Sequence, residues 1–136
     1  MEIKIGEKDF ELDLGIGFAL NLDSKYKFVQ KVQQDLQVEF GMGVQLLYGR
    51  LKAVSIESIL DFYKAGLTEY KKGSYTVKDL EKAIEREARE LGGFNKLADK
   101  CIDELVNVGL YPHIFEAEKL AEEMNSQLTS QQEEQK

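Results

Sequence analysis

The sequence predicts an α+β fold that is mostly α-helical: an N-terminal β-hairpin packed on a small helical bundle, with a polar C-terminal tail. Two periodicities support this fold class. Apolar residues alternate with polar ones at the N-terminus, as in half-buried strands, and recur every three or four residues farther along, as in helices. Composition is the third observation, since 136 residues that are 43% hydrophobic and contain a single proline suffice for one mostly helical core.

Residues 2–14 are predicted to form the hairpin, because their apolar side chains alternate strictly with polar or charged ones. The apolar positions are Ile3, Ile5, Phe10, Leu12 and Leu14. Residues Gly6 to Asp9 supply the turn between the two strands. An isolated hairpin is marginally stable in water, so its apolar face must pack on the helices that follow.

A short helix is predicted to begin after Gly15, where the spacing of apolar residues changes to four. Its apolar stripe consists of Phe18, Leu22 and Tyr26. Residues 27–40 combine helical spacing with a final alternation, so that helix, strand and a mixture of both remain open for them. The two glycines in residues 41–43 favour a turn with unusual backbone angles, after which a new helix begins.

Two consecutive helices are predicted next, separated by Ser55, whose hydroxyl can cap the second of them. The first stripe consists of Val44, Leu47, Leu51 and Val54, and the second of Ile56, Ile59, Leu60, Tyr63 and Leu67. Two further helices are then expected at residues 77–91 and 94–108. Their apolar stripes consist of Val77, Leu80, Ile84, Ala88 and Leu91 in the earlier helix, and of Phe94, Leu97, Cys101, Ile102 and Leu105 in the later one. Thr76 can cap the first of these, and the glycine pair at 92–93 ends it.

The C-terminal part differs in character from the body, so we divide the chain into a compact domain at 1–110, an amphipathic helical segment at 111–128 and a disordered tail at 129–136. The stripe of the segment consists of Ile114, Ala117, Ala121, Met124 and Leu128. Its spacings of three and four residues suit a helix of about four turns. The tail contains no apolar residue, which is typical of disorder.

Composition and motifs exclude several kinds of function. The formal charge of −7 is unsuited to tracking nucleic-acid phosphates, and no apolar run is long enough to span a membrane. The only cysteine, Cys101, shares a helical stripe with apolar residues, and the only histidine, His113, has no flanking triad motif. We therefore predict no catalytic residue, no cofactor and no metal site.

The candidate partner-binding residues lie on three apolar surfaces. One precedes residues 27–40, one lies where those residues end, and one lies near the C-terminus. They are Phe18, Leu22, Tyr26, Phe40, Met42, Ile114, Ala117, Ala121, Met124 and Leu128. For the first two surfaces, burial in the core is the favoured interpretation. For the C-terminal helix, packing against the domain and docking to a partner are weighted equally, since methionine suits adaptable interfaces.

The order of these elements resembles that of a known protein family. The resemblance rests on the segments at 14–18 (LGIGF), 22–26 (LDSKY), 39–43 (EFGMG), 62–67 (FYKAGL) and 102–105 (IDEL). Over about residues 1–108 the chain is similar to the tail assembly chaperones of long-tailed bacteriophages. The apolar residues and glycines of these segments shape the fold and are not a catalytic signature. The similarity therefore rests on the order and spacing of the segments.

The resemblance implies a non-catalytic chaperone of tail morphogenesis. Such proteins are made late in infection in the host cytoplasm, bind the tape measure protein, keep its apolar helices soluble and help to recruit tail tube protein. The resemblance also implies absence from the mature virion. Many family members have a longer form made by ribosomal frameshifting, and this chain would then be the short form. Assembly into a homo-oligomer is left open.

Two other functions remain open at this point. A structural head–tail connector or tail completion protein would also be small, acidic and helical. A small acidic adaptor could instead dock a host protein through its C-terminal helix. The first alternative predicts abundance in virions, and the second predicts that removal of the C-terminal segment abolishes binding.

Overall fold

The computed structural model describes residues 1–26 and 42–134. The described part contains two strands and six helices. In chain order they are β1 (Glu2–Ile5), β2 (Lys8–Glu11), α1 (Ile16–Lys25), α2 (Met42–Lys52), α3 (Ile56–Gly66), α4 (Val77–Leu91), α5 (Phe94–Asn107) and α6 (Pro112–Glu134). The mostly helical fold with an N-terminal hairpin is confirmed. The open prediction for residues 27–40 lies outside the described residues.

The hairpin is antiparallel, with Ile3 opposite Phe10 and Ile5 opposite Lys8. Its turn is tighter than the predicted four residues, because Lys8 already pairs and Gly6 adopts a positive φ of 63°. The strands also end earlier than position 14. Beyond β2 the chain stays pinned, since the backbone N–H of residue 13 donates to the Gly66 carbonyl at 2.9 Å.

The hairpin packs on α4, as its apolar face requires. The Arg86 guanidinium of α4 donates to the Lys4 carbonyl of β1. On β2, the ring of Phe10 meets the rings of Tyr70 and Tyr75 edge to face at 4.9 and 5.6 Å between centroids. These contacts close the sheet against the loop that precedes α4.

The main core lies among α1, α2, α3 and α5, which pack on one another in several pairs. Its fully buried large side chains come from these four helices, from the hairpin, from α4 and from the residue that follows α3. They are Ile3, Phe18, Leu22, Leu47, Leu51, Ile59, Phe62, Tyr63, Leu67, Leu80, Leu97 and Leu105. The predicted stripes supply most of this set, and Phe62 is a member that the stripes did not include.

The prediction of a turn at residues 41–43 is wrong for the two residues that the structure describes there. Met42 and Gly43 lie inside α2, in helical conformation. Glycine is required at 43 by a close contact, because a Cβ there would lie 2.5 Å from the backbone nitrogen of Asp23. The Asp23 carboxylate accepts the Gly43 N–H at 2.8 Å and so caps the start of α2.

Helix boundaries follow the predicted capping residues. The Ser55 hydroxyl accepts the backbone N–H of Ser58 at the start of α3, and the Thr76 hydroxyl accepts that of Asp79 at the start of α4. Gly92 ends α4 in the left-handed conformation, with φ of 104°. The start of α3 and both ends of α4 are therefore determined by local sequence.

In the stripes predicted for α2, α3 and α4, four residues lie at the surface rather than in the core. They are Val54, Ile56, Val77 and Leu91. Each stands at or beyond the end of a helix, where the stripe no longer faces a neighbouring element. Val54 also has a positive φ of 56°, in the turn between α2 and α3.

Helix α6 continues farther than the apolar pattern indicates. It runs from Pro112 to Glu134, whereas the pattern ends at Leu128 and disorder was expected from there on. The added residues are rich in glutamine and glutamate, which have good helix propensity without any need for burial. Residues 135 and 136 lie outside the described residues.

Candidate partner-binding site

The aromatic stripe of α1 lies in the core. Phe18, Leu22 and Tyr26 are all at most 3% exposed, and the ring of Phe18 meets that of Phe62 edge to face at 5.6 Å. The structure therefore places these three candidates where they hold α1 against α3. Met42 is half-buried at the start of α2, and Phe40 lies outside the described residues.

A buried polar cluster fixes the end of α1. Asp61 of α3 is 2% exposed and receives two donors, the Lys25 ammonium and the Tyr26 hydroxyl. Burial raises the pKa of Tyr26, with the Asp61 carboxylate as the next cause, so the hydroxyl remains a donor. The Arg50 guanidinium lies over the Tyr26 ring at 4.7 Å. The sequence pattern gave no sign of this cluster.

The first turns of α6 are anchored to the body. Just before the helix, the Tyr111 hydroxyl donates to the Leu14 carbonyl at 2.6 Å, and burial raises the pKa of that hydroxyl. Ile114 is buried, and the ring of Phe115 meets the ring of Tyr48 at 5.0 Å, almost perpendicular to it. Among the C-terminal candidates, Ile114 thus belongs to the body.

Electrostatic contacts add to this anchoring. Glu118 accepts a hydrogen bond from the Tyr48 hydroxyl and pairs with the Lys52 ammonium, both on α2. Lys52 also lies 5.6 Å from the centre of the Tyr48 ring. Burial raises the pKa of the Tyr48 hydroxyl, and the negative charge of Glu122, one helical turn beyond Glu118, raises it further.

The following part of α6, residues 119–127, is exposed at every position. Leu120 is 59% exposed and Met124 56%, and Ala121 is exposed between them. The side chains of Ala117 and Leu128 lie outside the described residues. We call residues 119–134 the projecting helix; its described apolar side chains lie one helical turn apart, on neighbouring positions of its surface.

A second apolar surface, absent from the sequence predictions, lies between α3 and α4. We call it the α3–α4 groove; its volume is about 280 Å³. Its apolar lining consists of Ile56, Leu60, Ile84 and Phe94, and its polar lining of Glu57, Glu81 and Glu85. It forms where the first turns of α3 and α5 meet the middle of α4, which periodicity within one helix does not reveal.

A larger depression of about 620 Å³ lies beside the N-terminus, between the end of β2 and α5. The Met1 ammonium sits in it, 3.3 Å from the Glu11 carboxylate. Asp13 and Glu69 line it too, and a hydrogen bond to Asp13 raises the pKa of Glu69. The Met1 ammonium thus lies between two carboxylates of the chain itself, that of Glu11 and that of Glu104 at 4.0 Å.

The residues considered as catalytic or metal-binding candidates do not form a common site. Cys101 is fully buried, and burial raises the pKa of its thiol to about 12, which makes it a poor nucleophile at neutral pH. His113 is exposed in the first turn of α6. Within residues 1–26 and 42–134, no three histidine, cysteine or carboxylate side chains come together in a way that could hold a metal ion.

None of the helices in the described part of the chain combines the length and the apolar character needed to cross a membrane. The described part of the molecule thus presents two exposed apolar surfaces, the projecting helix and the α3–α4 groove with its acidic residues. What they offer chemically is surface for another polypeptide.

Comparison with family models gave a match over most of the chain. The model described as phage tail assembly chaperone protein, TAC, matches residues 2–117. The match covers the whole body and ends within the anchored turns of α6. Comparison with curated proteins and with solved structures gave no match.

Proposed function

The chain belongs to the phage tail assembly chaperone family, and we propose that it binds the tape measure protein of its phage, keeps that protein's apolar helices in solution and helps to recruit tail tube subunits. It acts by binding alone, without catalysis or a cofactor. We place this activity in the host cytoplasm and expect the finished virion to lack the chain.

One observation supports this function beyond the family itself. The projecting helix presents Leu120 and Met124 to solvent on a helix whose first turns are held firmly against α2. An anchored helix with exposed leucine and methionine can cover an apolar helix of another protein, and methionine adapts its shape to different partners.

Charge supports the same function. The net charge of −7 keeps a complex with an apolar client dispersed, since like-charged particles repel one another. Much of this charge lies beyond Tyr111. The acidic residues there are Glu116, Glu118, Glu122, Glu123, Glu133 and Glu134, against the basic residues Lys119 and Lys136.

Co-expression with the tape measure protein tests this proposal. We expect the wild-type chain to bring the tape measure protein into the soluble fraction and to co-purify with it. The variant Leu120→Ser/Met124→Ser is expected to lower the soluble yield about fivefold or more, because it removes exposed apolar surface from the projecting helix. Quantitative immunoblotting of soluble and insoluble fractions provides the measurement.

The matched control is Ile16→Ser/Leu20→Ser, which removes two apolar side chains from α1 that are at least as exposed as Leu120 and Met124. This control is expected to leave the soluble yield unchanged. If the tape measure protein stays insoluble beside the wild-type chain, the proposed function is wrong. If both variants behave like the wild type, the projecting helix is not the surface that binds the client.

A further inference from the structure

The α3–α4 groove has the shape of a docking site for a helix. Its floor is apolar: Ile56 is 51% exposed, Leu60 and Phe94 are half-buried, and all of them line one cavity. Ile56 is the first residue of α3. An isoleucine side chain there neither caps the helix nor interacts with its dipole. Its exposed side chain is therefore available to a partner.

The groove continues along α4 into a second depression of about 290 Å³. The two share Glu85 and Phe94, and the second adds Ala88 and Gly93. From Glu81 to Ala88 the surface follows about two turns of α4, or about 11 Å at 1.5 Å per residue. This length accommodates two turns of a bound helix, with anchors at i and at i+3 or i+4.

The charge of the groove restricts what can occupy it. Glu57, Glu81 and Glu85 are exposed around the apolar floor, and no lysine or arginine lines the 280 Å³ part. Arg89 lies at the far end of the second depression, where it pairs with Glu85 at 3.4 Å. An occupant that carries positive charge beside its apolar face would gain favourable interactions with all three carboxylates.

The same charge argues against occupation by the projecting helix of a second copy. That helix carries Glu122 and Glu123 beside Leu120 and Met124, so that docking would bring like charges together in a partly desolvated groove. A self-association through this groove is therefore disfavoured, and the occupant must come from another protein.

We propose that the α3–α4 groove binds a basic amphipathic helix of the client protein, with the client's apolar side chains on Ile56, Leu60 and Phe94 and its lysine or arginine side chains beside the three glutamates. The assignment of this helix to the client rests on the proposed function. The groove then complements the projecting helix, since it selects a client segment by charge as well as by apolar surface.

A peptide-binding experiment tests the groove without the tape measure protein. The probe is a synthetic 18-residue helix of leucine and lysine with all leucines on one face, labelled for fluorescence anisotropy. We expect it to bind the full-length chain. Glu57→Gln/Glu81→Gln/Glu85→Gln is expected to weaken binding about tenfold, and Ile56→Ser about fivefold. All of these side chains are exposed, so the variants should fold normally.

Two controls separate this site from general attraction between opposite charges. Glu2→Gln/Glu7→Gln/Glu90→Gln removes the same charge from exposed positions outside both the groove and the projecting helix, and is expected to change the affinity less than twofold. A peptide of the same composition with leucine and lysine scrambled is expected to bind at least about tenfold more weakly. Equal effects of the two glutamine triples, or equal binding of the two peptides, would overturn the proposal.

The outcome for the groove is distinguishable from that for the proposed function. If the wild-type chain solubilises the tape measure protein but the groove variants bind the peptide as the wild type does, the groove proposal fails and the chaperone function stands. If the peptide results are as expected but the wild-type chain leaves the tape measure protein insoluble, the groove stands and its assignment to that client fails.

Discussion

Gly43→Ala is expected to destabilise the protein by about 3 kcal/mol or more, because the new methyl group has no space between α1 and α2. Its Cβ would lie 2.5 Å from two backbone atoms, the nitrogen of Asp23 and the carbonyl carbon of Leu22. These backbone atoms cannot move away from the new methyl group by a change of rotamer, as a side chain could. The helices must separate, and the hydrogen bond from the Gly43 N–H to the Asp23 carboxylate is lost with them.

The matched control is Gly49→Ala in the same helix. A Cβ at position 49 meets nothing within 4 Å, and the position is exposed. Alanine is a better helix former than glycine, so this variant is expected to gain about 0.5–1 kcal/mol. Urea denaturation followed by circular dichroism measures both changes. Equal effects of the two substitutions would show that the α1–α2 contact is looser than described.

Asp61→Ala is the second substitution with a large expected effect, about 2–4 kcal/mol of destabilisation. It leaves the buried Tyr26 hydroxyl without its acceptor at 3.1 Å and removes the partner of the Lys25 ammonium. The loss falls short of that for a fully buried ion pair, because the Lys25 side chain is 39% exposed and water can solvate its charge.

Asp61→Asn provides the informative comparison, since it keeps an oxygen acceptor for Tyr26 and removes only the charge. We expect it to lose about 1–2 kcal/mol, and Glu57→Ala, at an exposed position of the same helix, about 0.5 kcal/mol or less. Urea denaturation of the three variants should give this order. A loss for Asp61→Ala no larger than for Glu57→Ala would mean that the cluster does not hold α1 to α3.

The fold was predictable where local sequence determines local structure. Alternation marked the hairpin, and Thr76 and the glycine pair at 92–93 marked both ends of α4. Each of these signals acts over a few residues, through strand pleating, a side-chain cap or a left-handed glycine. The same signals indicated the order of the helices on which the family resemblance depended.

Long-range contacts were not predictable in the same way. Gly43 looked like part of a turn because its requirement for glycine comes from α1, twenty residues earlier in the sequence. Asp61 looked like an ordinary polar residue because its donors lie at positions 25 and 26. A single sequence does not record which distant residue will approach a given position.

The candidate site shows the same limit. Ile114 and Met124 belong to one helical stripe with spacings of three and four residues, yet the first is buried and the second is 56% exposed. The buried residue lies in the turns of α6 that pack on the body, next to Phe115 and its contact with Tyr48. The α3–α4 groove was missed for a related reason, since it needs three helices to meet and no single stripe contains its floor.

Shielding of the tape measure protein is tested most directly by light scattering after that protein is diluted out of denaturant. With the purified chain present at about an equimolar ratio and no nucleotide, scattering is expected to fall by about half or more, because bound chain covers apolar surface and adds negative charge. Scattering that stays unchanged at about tenfold excess of the chain would contradict a chaperone role towards this client.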